Sequence, residues 1–104
     1  MEHFSDREIA GLKPELLGPL SQARKAAGVP FRITSGFRPG DPLTHGEGLA
    51  VDIACADSAT RFRIVSSLLD AGFTRLGIYD HHIHADVGQA PRFPQRVIWW
   101  GTSR

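Results

Sequence analysis

The most constraining stretch of this chain is His82-Ile83-His84-Ala85-Asp86-Val87. Polar and apolar residues alternate there without a break, and a strand sends successive side chains to opposite faces. His82, His84 and Asp86 therefore share one face. Ile83, Ala85 and Val87 share the other, which belongs in a core. Leu49 to Ala54 repeats the pattern, with Leu49, Val51 and Ile53 on one side and Ala50, Asp52 and Ala54 on the other. An aspartate between two alanines on such a strand is costly unless it is paired or bound to a metal. With the two strands side by side and their apolar faces down, Asp52 meets His84.

The surrounding chain predicts an α+β domain. Its sheet is small and mostly antiparallel, with helices packed on one face. Ser5 and Glu8 form a capping box for a short first helix. Lys13-Pro14 opens a second, carrying Leu16, Leu17, Leu20, Ala23 and Ala27 and stopping at Gly28. Gly18-Pro19 marks either its true start or a break. Phe31 and Ile33 suggest a short strand. Asp57 or Ser58 caps a third helix whose apolar face is Phe62, Val65, Leu68 and Leu69, closed by Gly72. Phe73 to Tyr79 forms a further strand, turning at Asp80-His81 into the histidine-rich one. The tail is rich in proline and arginine and ends in Trp99-Trp100, with no element assigned to it.

A chain of 104 residues makes one domain, residues 1–104. Its 12 Lys and Arg against 11 Asp and Glu leave +1, with no basic surplus for a nucleic-acid binder. Cys55 is the one cysteine, so neither an intrachain disulfide nor a multi-cysteine metal site is available. It reads as a small buried residue, with a thiol nucleophile as the alternative. No run reaches the roughly 18 apolar residues of a membrane helix, so no membrane insertion is expected. The first residues lack the basic and apolar segments of a secretory signal, which predicts cytoplasmic synthesis. A monomer is expected.

Residues 35 to 48 hold six glycines and prolines and read as a long loop, a common carrier of function. His45 lies in it, seven residues before Asp52, and Gly46 and Gly48 allow the loop to fold back toward that aspartate. His45, Asp52 and His84 would give two imidazoles and a carboxylate with one position open, a set suited to catalytic zinc. His82 is then a proton carrier, and Arg38 a partner for an oxyanion or a carboxylate. The alternatives are a polar loop residue at 45, a carboxylate at 52 paired with Arg38 or Arg75, and a hydrogen-bonded sheet histidine at 84. Glu47 reads as an exposed loop residue, or as a base or ligand. Trp99 and Trp100 read as core or lid packing, or as a sugar-stacking platform. Arg61, Arg63, Arg92, Arg96 and Arg104 read as solvated.

Ser35-Gly36-Phe37-Arg38, His45-Gly46-Glu47-Gly48-Leu49-Ala50-Val51-Asp52-Ile53, Gly77-Ile78-Tyr79 and Ile83-His84-Ala85-Asp86-Val87-Gly88 together resemble the zinc D-Ala-D-Ala peptidase family. That family includes D,D-carboxypeptidases, cell-wall endopeptidases and phage endolysins. The resemblance spans about residues 31 to 100. It implies the hedgehog and D-Ala-D-Ala-peptidase type of fold, zinc on His45, Asp52 and His84, and Arg38 toward substrate. It places Asp86 as an orienting or salt-bridging residue. The family's serine two residues before the first ligand is Leu43 here, and the stretch between the arginine and that ligand is short. The acidic base three residues before the last ligand is replaced by His81. A His-x-His subset assigns that role to His82, so the base stays open between the two. The implied substrate is a peptidoglycan peptide, and the implied setting a phage or prophage product released through a holin, one carried on a virion, or a bacterial cytosolic protein. The alternative function is an inactive zinc-binding or wall-binding module of the same fold, or a virion structural component.

Overall fold

The computed structural model describes residues 1–102. Arg104, expected to be solvated, lies outside them. The element order is α1 (Asp6–Ile9), α2 (Pro14–Ala27), β1 (Ile33–Ser35), a 3₁₀ turn (Thr44–Glu47), β2 (Ala50–Ala54), α3 (Ser58–Asp70), β3 (Arg75–Ile78), β4 (His82–Asp86) and β5 (Val97–Trp100). The strands form one sheet in the order β1-β2-β4-β3-β5, antiparallel except for the β3–β5 pair. This is the expected α+β architecture.

Local chemistry explains most element ends. Ser5 accepts from the Glu8 amide while the Glu8 carboxylate accepts from the Ser5 amide, which closes the capping box. Asp57 caps α3 by accepting from the Thr60 amide. Gly28 ends α2 in the left-handed region, at φ 70°. Pro19 neither starts nor breaks α2, which runs through it. An internal proline costs about 3 kcal/mol. Leu16 and Leu20 on either side are fully buried, and each contributes about 1.5–3 kcal/mol.

The core lies between the sheet and α2 and α3. Val51, Ile53, Ile83, Ala85 and Leu76 are fully buried against Leu16, Leu20, Ile64 and Leu68. The buried stripe of α3 is Ile64, Ser67 and Leu68, not the expected set. Of that set only Leu68 is fully buried. Phe62 and Leu69 stay exposed, and with Val65 they line an apolar groove of about 410 Å³ beside Ile98 and Trp100 of β5. The helix is apolar on two adjacent stripes, and the sheet covers only one of them.

The unassigned tail supplies β5, which runs parallel to β3 with Gly77 opposite Trp99. Trp100 is exposed and Trp99 half-buried, so neither is a core residue. Cys55 is buried and donates to the Asp57 carbonyl. Burial pushes its thiol pKa up, which suits a packing residue better than a nucleophile. Among the described residues no helix is long and apolar enough to cross a membrane.

Candidate metal centre

The side of the sheet away from the core carries a polar cleft of about 540 Å³. Strand register builds its floor. Asp52 of β2 sits directly opposite His84 of β4, Ala54 opposite His82 and Ala50 opposite Asp86. The alanines keep β2 low and leave space around the one carboxylate. On β3, Gly77 lies opposite His84. A Cβ there would strike the Trp99 indole and the Tyr79 ring, so the glycine admits both aromatics to the cleft.

His45 arrives from the loop. The register between β1 and β2 slips by one residue, which sets Ser35 opposite Asp52. The following chain folds back tightly, because a Cβ on Gly46 would overlap the Asp41 carbonyl. The 3₁₀ turn then buries Thr44 and His45, and the Arg38 amide donates to the His45 carbonyl at 3.0 Å.

The hydrogen bonds assign a tautomer to each ring. His45 Nδ1 lies 2.7 Å from the Gly36 carbonyl, which can only accept. In the neutral ring the proton is therefore on Nδ1, and Nε2 carries a lone pair. That Nε2 is buried with no hydrogen-bond partner and sits 3.3 Å from Asp52 Oδ1. His84 Nε2 donates to Asp86 Oδ2 at 2.6 Å, which turns its Nδ1 toward the same Asp52 Oδ1 at 3.3 Å. Three acceptor atoms thus face one another, all within 4.8 Å. Two arrangements relieve the repulsion of these lone pairs: a proton on a ring nitrogen, which makes it a donor to Asp52, or a cation held between the three atoms. Two imidazole nitrogens and one carboxylate oxygen are a donor set that fits a divalent transition ion, zinc among them. The opposite nitrogen of each ring is already held by an oxygen, as ligating histidines require.

The cleft electrostatics follow. Burial opposes the charge on Asp52, but His45 and His84 beside it outweigh that and hold the carboxyl well below its usual range. Burial also works against charge on Asp86, yet His84, the Gly88 amide and Arg75 together lower its pKa. For His84, burial disfavours the cation, but Asp52 and Asp86 prevail and raise its pKa. His82 is lowered. Burial is the main cause, and together with the nearby His84, His45 and Arg38 it outweighs the attraction of Asp52.

His82 lines the cleft with Nε2 at 3.8 Å from Asp52 Oδ1, its ring stacked on Tyr79 at 4.3 Å. His81 is exposed in the β3–β4 turn, outside the cleft lining. Arg38 lines the cleft rim, donating to Ser35 Oγ at 2.9 Å and to Asp52 Oδ2 at 3.3 Å. Glu47 is paired with Arg92 at 2.6 Å, away from the three acceptors. Arg75 pairs with Asp86 rather than Asp52.

No protein-family model, curated protein or solved structure matches this chain. The cleft also contains Arg75, Phe93 and Trp99, which lie outside the quoted motifs, and Tyr79, which lies in one without a role assigned to it. Arg75 and Tyr79 had a signal, since they alternate with Gly77 along one strand face. Phe93 carries no such signal, and Trp99 is marked only as packing or a stacking platform, because no element is assigned to the tail.

Proposed function

We propose that the cleft is the active centre of a zinc-dependent peptidase cleaving peptidoglycan stem peptides, of D,D-carboxypeptidase or endopeptidase type. One observation carries the reading: the orphaned Nε2 of His45 faces Asp52 Oδ1 beside His84 Nδ1. The substrate class is what the resemblance of the motifs to the zinc D-Ala-D-Ala peptidase family implies. His45 Nε2, Asp52 Oδ1 and His84 Nδ1 would hold the ion. When bound, zinc supplies a Lewis acid that acidifies water and polarises a carbonyl.

The chain's own groups do the rest. His82, kept neutral by burial, takes a proton from the attacking water at Nε2 and passes it to the leaving amine. Stacking on Tyr79 holds its ring plane. Arg38 offers a half-exposed guanidinium to the developing oxyanion or to a terminal carboxylate. Trp99, Phe93 and Leu43 line the cleft and exclude water from the peptide.

The test is digestion of purified peptidoglycan followed by mass spectrometry of the muropeptides. Wild type with zinc should release new peptide ends, and a chelator or Asp52→Ala should abolish them. A second reading, a zinc-holding module without hydrolysis, draws on the carboxylates that line the cleft. Asp41, Asp52 and Asp86 are each already held by a donor, which leaves no acidic base. One zinc per chain with no bond cut would favour that module. No zinc retained by wild type sinks both.

A further inference from the structure

We infer that Arg75 is the positioning residue of this centre, fixing His84 through Asp86 and tying the aromatic wall of the cleft to the same carboxylate. The inference rests on the metal-centre reading. Asp86 is fully buried, and its two oxygens are divided between different donors. Oδ1 accepts from Arg75 Nε at 2.7 Å and from the Gly88 amide at 2.9 Å. Oδ2 is thereby left to His84 Nε2 at 2.6 Å and Thr44 Oγ1 at 3.4 Å. Rotation of the carboxylate plane would break the Arg75 bond, so Arg75 fixes the direction in which Asp86 presents an oxygen to His84. With Nε2 held in that direction, His84 Nδ1 faces Asp52 Oδ1.

The same guanidinium reaches the other way. Arg75 Nη1 donates to the Pro94 carbonyl at 2.7 Å. Its carbon lies 5.1 Å from the Phe93 ring centre and 5.2 Å from that of Trp99. Trp99 in turn stands 5.4 Å from the His84 ring and donates to the Tyr79 hydroxyl at 3.1 Å. The side chain is only 12% exposed, so its charge serves the protein rather than a substrate. A lysine keeps the charge but has no planar fork to reach Asp86 and Pro94 together.

The experiment titrates metal-stripped protein with zinc alone against a chromophoric chelator. The proteins are wild type, Arg75→Lys, Arg75→Gln, Asp86→Asn and the double variant Arg75→Lys/Asp86→Asn, with thermal melts run in parallel. Each single variant should bind zinc roughly 10–100-fold more weakly. The double should be no worse than the weaker single, since both act through one contact chain. Arg75→Lys guards against a Gln variant that does not fold. Losses that multiply in the double, or an Arg75→Lys protein that binds as tightly as wild type, overturn the inference. Failure of wild type to bind zinc instead removes the metal-centre reading, and the inference with it.

Discussion

The two faces of the β2–β4 pair carry opposite chemistry on the same backbone. On one face Val51, Ile53, Ile83 and Ala85 are fully buried under α2 and α3. On the other, Asp52, His82, His84 and Asp86 line the cleft. The core face is held by burial, which is non-directional and scales with area. The cleft face is held by directional contacts, among them those of Asp52 with Arg38 and the histidines and of Asp86 with Arg75, His84 and the Gly88 amide. Stability and binding should therefore separate cleanly between residues that are adjacent in the chain.

Neighbours 52 and 53 test that separation most severely. Ile53→Ala should cost about 2–5 kcal/mol in urea unfolding, because it leaves a cavity beneath the sheet. Zinc should still stabilise what folds, by about 2.7 kcal/mol when present at 100 times its dissociation constant. In Asp52→Ala that zinc increment should vanish. An Ile53→Ala protein that also loses it would mean the two faces are one unit, with the cleft geometry dependent on core packing.

The same contrast explains what could be read beforehand. Period-two alternation around Asp52 and His84 was legible because each strand has one buried face, and a slip of one residue would expose it. The helix caps were legible because they depend on neighbours three residues apart. The placement of His45 was legible in part. Its spacing and Gly46 pointed the right way, but the fold-back depends on the close approach of Gly46 to Asp41. β5 was not legible. Val97-Ile98-Trp99-Trp100 has no alternation, and its partner strand β3 lies about 20 residues earlier. The buried stripe of α3 was not legible either, since α3 carries two apolar stripes and its packing on α2 and β4 decides which of them is covered. Arg75 was considered as a partner for the wrong aspartate, because register, not charge, sets the choice between Asp52 and Asp86.

A smaller effect concerns pH in metal-free protein. His84 has a folded-state pKa raised above its unfolded value of about 6.5. Its contribution to stability is therefore complete below about pH 6.5 and is lost as pH rises through the folded value. The stability difference between wild type and His84→Gln, followed by urea unfolding from about pH 5 upward, should shrink with rising pH. Above about pH 5 the lowered carboxyls of Asp52 and Asp86 stay ionised and do not contribute to the slope. A difference that widens with pH would show that burial governs this ring and that the cleft face behaves like the core face.

The smallest effect comes from the paired tryptophans of β5, which carry the two-face comparison to the sheet edge. Trp100 is 81% exposed on the groove side. Trp100→Ala should change stability by no more than about 0.5 kcal/mol. Trp99, one residue earlier, is half-buried over Gly77, donates to Tyr79 and stacks near the Arg75 guanidinium. Trp99→Ala should cost at least about 1 kcal/mol, because it removes a hydrogen bond and a cation–π contact together. It should also weaken zinc binding in the direction of the Arg75 variants, since the ring leans on His84. Equal costs for the two substitutions would mean that β5 is not held in register against β3, and that the cleft wall is less ordered than its floor.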